Sequence, residues 1–233
     1  MDFTNLDTTA PSNERTADSG SAFRHRRLRR SPSALELQTS RAIINNAPVR
    51  QSPIDIALYF AGLQQRNERD YCFNAEWPVD YGPNPIIREF QSLVDSAGRN
   101  CGSLDLVGWS AAFVNWCLDR SGLQGTRSPE SQSFRTWIVP RSIPAPGDIA
   151  VFADIDDKGR QMVSGQVAFW MADFGTTIQV VAANHRHNAR ARISEMPVAR
   201  VRIDPQGRIN RNLLGTVPIA ALQQCVDSHR PAL

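Results

Sequence analysis

Side chains able to act as nucleophiles, proton carriers or metal ligands are few in this sequence. Cys72, Cys101, Cys117 and Cys225 show no Cys-x-x-Cys spacing, so neither a zinc ribbon nor a thioredoxin-type pair is readable. No carboxylate pair, metal-ligand spacing or glycine-rich phosphate loop appears, so neither a metal nor a cofactor is expected. Of the four histidines, His25 and His229 lie towards the ends, and His185 and His187 follow Asn184. Three apolar segments each carry a polar residue of interest. Ser110 stands in Trp109-Ser110-Ala111-Ala112-Phe113-Val114-Asn115-Trp116-Cys117, and Gln166 in Gly165-Gln166-Val167-Ala168-Phe169, while Asn184 follows Ala183. A helix N-terminus carries orphan N–H groups and a positive dipole end, which is where acyl-transfer chemistry places a nucleophile. A serine hydroxyl there is not ionised as a thiol is, so it depends on a general base.

Taken in order, with Pro146-Gly147-Asp148-Ile149-Ala150-Val151-Phe152 between the first two, these segments resemble the CHAP and NlpC-type branch of papain-like cysteine amidases and peptidases. The resemblance covers about Pro53 to Ile203 and includes Gly82-Pro83-Asn84-Pro85-Ile86-Ile87. It implies an α+β papain-like fold, a helical lobe packed on an antiparallel sheet. The implied substrate is peptidoglycan, cut at an amide of the muramyl link or the stem peptide. It puts Ser110 at the cysteine position, Gln166 at the histidine position and Asn184 at the orienting position. Trp109 adjoins the nucleophile and is expected to line the substrate groove. Both reacting positions depart from the pattern, and a glutamine amide has no basic nitrogen near neutral pH. His185 or His187 is then the candidate substitute base; the alternative makes both loop residues beside Arg186 and Arg190. Two functions stay open. One is an amidase or endopeptidase whose usual pair is naturally degenerate or partly engineered away. The other is a non-catalytic protein whose cleft binds peptidoglycan stem peptides or a protein ligand, including an exported bacterial effector.

Several elements must position these residues. Ser52-Pro53 with Asp55 predicts a helix running to about Gln65, and Asn84-Pro85 opens a second. Leu106 to Leu118 predicts a third, with Trp109, Ala112, Phe113, Trp116 and Cys117 on one buried face. Asp105 is read as a cap, Cys117 as core and Cys101 as a loop thiol. Ser128-Pro129-Glu130 caps a short helix through Trp137. Trp77 and Tyr81 are expected to pack over the core from their loop. From Pro144 the period changes: Asp148–Ala153, Val163–Met171, Ile178–Ala183 and Ala191–Ile203 read as strands, with Pro146-Gly147-Asp148 turning into the first.

Residues 1–50 read as a disordered arm ahead of a domain over 51–223, with 224–233 as a tail. Met1–Ser21 is polar without apolar periodicity, and Ala34–Asn45 predicts only a weak helix. The cluster Arg24-His25-Arg26-Arg27-Leu28-Arg29-Arg30 is either a patch for an anionic surface or a solvated run. A net charge of +3 is too small to make the whole chain a nucleic-acid binder. No apolar run of about 18 residues spans a membrane. The polar start has no signal-peptide core, so cytoplasmic synthesis is expected, with export by a non-classical route or release by lysis.

Overall fold

The computed structural model describes residues 31–78, 80–94, 108–140, 142–156, 158–184, 190–197 and 210–222. Helices come first among these: α1 (Ala34–Asn46), α2 (Pro53–Ala61), α3 (Pro85–Ser92) and α4 (Ser110–Arg120), then a 3-10 helix (Ser131–Trp137). The strands follow: β1 (Ile149–Ile155), β2 (Gln161–Asp173), β3 (Thr177–Ala182), β4 (Arg192–Pro197) and β5 (Asn210–Val217). They form one antiparallel sheet in the order β4-β3-β2-β1-β5, which makes the class α+β.

Side-chain caps set the helix starts. The Ser52 hydroxyl accepts from the Asp55 N–H ahead of Pro53, and Asn84 accepts from the Ile86 N–H ahead of Pro85. α2 stops at Ala61, short of the predicted Gln65, because Gly62 is a poor helix former. Trp77 and Tyr81 pack edge-to-face with each other, and Trp77 does so with Phe73, as the aromatic loop predicts. Asp148 closes the turn into β1: its carboxylate accepts from the N–H groups of Ala145 (2.9 Å) and Ile219 (3.1 Å).

The fold begins before Ser52, which corrects the expected boundary at residue 50. α1 carries a full capping box, in which the Ser33 hydroxyl accepts from the Glu36 N–H and the Glu36 carboxylate from the Ser33 N–H. Ile43 and Ala47 lie in the main core. The buried Glu36 carboxylate also accepts from Asn67 Nδ2 (3.1 Å) and from the Tyr81 hydroxyl. Arg120, at the end of α4, donates to the carbonyls of Ile44 (3.1 Å), Ala47 (3.0 Å) and Pro48 (3.3 Å), covering the far end of α1. The helix looks weak in sequence because its buried side uses Glu36 and Ser40 along with Ile43. Residues 1–30, with the Arg24–Arg30 cluster, and 223–233 lie outside the described residues.

Alternation along the strands produces two cores. Ile149, Val151, Val167, Phe169, Val181 and Val217 join the helices on one face. Ala150, Phe152, Ala168, Trp170, Ile178, Val180 and Met196 form a second cluster drawn from strands alone. They bury one another because the sheet curls until β4 and β5, at opposite ends of its order, approach. β5 is a strand that sequence periodicity does not show. A register shift between Val151 and Phe152 breaks its alternation, and Gly215 interrupts it. β4 occupies part of the predicted 191–203 strand, whose residues 198–203 lie outside the described residues.

α4 differs from its prediction in two ways. It starts at Ser110, with Gly108 and Trp109 non-helical, and every residue from Ser110 to Leu118 is buried rather than one face. The cause is its central place, with α2 and α3 on one side and β2 on the other.

Candidate active site

Ser110 is the first residue of α4. The preceding Trp109 (φ −96°, ψ 13°) is the N-cap and supplies no side-chain acceptor, so a buried helix end is left without a side-chain cap. The Ser110 hydroxyl has one hydrogen-bond partner among the described residues, Ser131 Oγ at 3.2 Å. Ser131 opens the 3-10 helix, which is tied to the sheet by the neighbouring Gln132: its Nε2 donates to the Phe152 carbonyl at 2.9 Å. Gly165 makes that seating feasible, since a Cβ there would run into the Phe152 carbonyl and the Gln132 amide. Asn115 holds the far side. It donates to the Ser128 carbonyl (3.2 Å) and accepts from the Arg127 N–H (2.8 Å).

Gln166 is fully buried on β2, opposite Phe152 of β1. Its neighbours Val167 and Phe169 face the helices, so alternation turns Gln166 to the opposite face, beside Phe152 and Asp154. Its Nε2 donates to the Ala183 carbonyl at 3.0 Å, and its Oε1 accepts from an Arg211 guanidinium N–H. Arg211 lies directly across from Asp154 in the β1–β5 register, and its Nε donates to Asp154 Oδ1 at 2.5 Å. The Asp154 side chain is 3% exposed and that of Arg211 16%, so the ion pair is largely withdrawn from water.

Asn184 lies just past β3 with φ 56°, a left-handed conformation that asparagine tolerates better than most residues. It lies against the chain just before α4: a Cβ at Gly108 would sit 2.7 Å from Asn184 Nδ2. Asn184 is thus brought beside the head of the Ser110 helix. Gln166 is tied to the neighbouring Ala183 carbonyl, but its side chain lies on the face of the sheet opposite α4, so the structure does not bring it together with Ser110. His185 and His187 lie outside the described residues, as do Cys101 and Asp105.

Trp109 does not have the placement expected of a groove residue. Its ring is 2% exposed, stacks on Phe90 (6.0 Å between centroids) and meets Phe113 edge-on. The aromatic cluster of α3 and α4 draws the ring inward, although this leaves the indole N–H buried without an acceptor. Cys117 is core, and burial pushes its thiol well above the ordinary range.

No family model matches this chain, and no curated protein and no solved structure matches it. Its own geometry therefore carries the functional argument. The hydroxyl at 110 meets another hydroxyl, and the amide at 166 meets a guanidinium and a carbonyl. Neither contact supplies a proton acceptor suited to general-base work. Among the described residues no group of three or more His, Cys, Asp or Glu side chains converges, and no helix is long and apolar enough to cross a membrane.

Sequence reasoning missed Asp154, Arg211, Ser131 and Gln132. Asp154 carried a signal, since it is a charge in an otherwise apolar strand segment at an inward-facing register. Arg211 carried none, being 45 residues beyond Gln166 in the unpredicted strand.

Proposed function

We propose that this chain is a papain-like domain of CHAP type whose cleft binds peptidoglycan stem peptides without cutting them. The observation that carries the reading is the state of position 166. Where the resemblance places a titrating imidazole, the chain holds a glutamine whose amide oxygen accepts from Arg211 and whose amide nitrogen donates to Ala183. Removing one member of a catalytic unit forfeits most of the rate, and here both reacting positions have changed. The convergence of Asn184 on Gly108 supports a shared site at the head of α4.

The test is incubation of purified peptidoglycan with the unmodified protein, with mass spectrometry of the soluble products and binding measured to soluble muropeptides. The expected result is saturable binding with no fragments released. A Ser110→Ala substitution should leave that binding within a few-fold, since Ser110 contributes only a hydroxyl partner to Ser131. Fragment release by the unmodified chain overturns the reading in favour of a serine-based hydrolase. Absence of any saturable muropeptide binding overturns it as well.

A further inference from the structure

We propose that the edge of β2 over Gln161–Gly165 is a docking lane for an extended segment of a partner protein, which adds to the sheet as a strand in line with β3. The inference goes beyond the cell-wall reading and does not rest on it.

β3 pairs with β2 only from Ala168 to Asp173. Along Gln161–Gly165 the flank of β2 away from β1 has no strand among the described residues. Asn184 vacates that flank: its left-handed φ of 56° ends the extended run just past β3, and its side chain lies at Gly108. Gln161–Ser164 are all exposed, Val163 at 88% and Met162 at 45%. In an antiparallel ladder every second residue directs its N–H and C=O away from the partner strand. Among the described residues, no backbone group of Gln161–Gly165 has a hydrogen bond outside its pairing with β1, and none of these residues has a further partner. Unpaired backbone groups in a row are what an extended peptide recognises, and the apolar side chains beside them supply contact area.

The shape of the edge selects its occupant. β1 takes two steps from Ala153 to Ile155 where β2 takes four from Gly165 to Gln161, and the two extra residues bend the strand. An edge so short and bent does not lie flat against a second copy of itself. It also falls far short of the roughly 800 Å² per partner that a stable dimer interface needs. A single added strand follows the bend. Running antiparallel to β2, as β3 does, it starts beside Gly165 and ends at the turn that carries Lys158 and Arg160. Asp156 in that turn already accepts from the Lys158 and Arg160 N–H groups and from Arg160 Nε, while the Lys158 and Arg160 side chains stay exposed. The matching segment is therefore apolar at alternate positions, with a carboxylate on its C-terminal side.

The experiment titrates the ¹⁵N-labelled full chain with the peptide acetyl-Thr-Val-Thr-Val-Thr-Glu, its C-terminal carboxylate free, and follows backbone amides by NMR. Saturable shifts concentrated at Gln161–Gly165 are expected. The same peptide methylated at every backbone nitrogen has no donor to offer the edge and should bind at least tenfold more weakly. Val163→Asp changes an exposed side chain, so the fold is retained, and it should weaken binding of the unmethylated peptide at least fivefold. Absence of saturable shifts at Gln161–Gly165 overturns the proposal. So does equal binding of the methylated peptide, which would assign the contact to side chains alone. Shifts at these amides that grow with protein concentration in the absence of peptide, and vanish in Val163→Asp, overturn it in favour of a second copy. None of these readouts involves muropeptides or turnover, so failure here is distinguishable from failure of the cell-wall reading.

Discussion

At the scale of single residues, the Asp154–Arg211 pair makes the largest demand on its surroundings. A carboxylate with 3% of its side chain exposed is tolerable only with its partner present. Arg211→Met is expected to cost about 3 kcal/mol in urea unfolding by leaving that charge unpaired. Asp154→Leu combined with Arg211→Met should recover most of the loss, because removing both charges removes the desolvation cost. Comparable losses from the single and double variants would show that packing, rather than charge, sets the cost. Cys117 allows a prediction in pH. Burial raises its thiol in the folded protein, so the unfolded chain releases its proton first as pH rises. Stability from this group is intact below about pH 8.5 and falls above it. Chemical denaturation at pH 7 and pH 10 should show a smaller alkaline loss in Cys117→Ala than in the unmodified protein.

At the scale of elements, the seating of the 3-10 helix on β1 and β2 depends on the missing side chain at residue 165. Gly165→Ala sets a Cβ against the Phe152 backbone, which has no rotamer to move, and is expected to cost about 2 kcal/mol or more. An unchanged melting temperature would show that the 3-10 helix shifts freely. Elements whose signals are local were legible in the sequence. Ser52-Pro53 and Asn84-Pro85 announce α2 and α3 through caps that need no tertiary context, and Pro146-Gly147-Asp148 announces its turn. α1 was underread because one of its contributions is a polar buried group, Glu36, whose partners Asn67 and Tyr81 are 31 and 45 residues away. β5 was not read because its alternation shifts by one residue opposite Val151 and Phe152. The candidate site was half legible for the same reason. Ser110, Gln166 and Asn184 stand in recognisable local segments, whereas Arg211 acquires meaning only once β5 pairs with β1.

At the scale of the whole molecule, α1 belongs to the folded unit and the fold does not begin at residue 51. Chains lacking residues 1–30 and residues 1–51 should therefore differ in stability. The shorter loses Ile43 and Ala47 from the core and leaves Tyr59, Asn67, Tyr81 and Arg120 without partners they have in α1 and the residues just after it. Its urea midpoint should be clearly lower, and equal midpoints would make α1 dispensable. The strand order has a further consequence, for synthesis. β1 is buried along all seven residues, yet one of its two edges is completed only by β5, the last of the described strands to be made. Until about residue 217 has left the ribosome, a strand that is apolar except for Asp154 has an open edge, the feature that most readily recruits a second chain. Nascent chains arrested between β4 and β5 should thus be the species that chaperones capture and that aggregate.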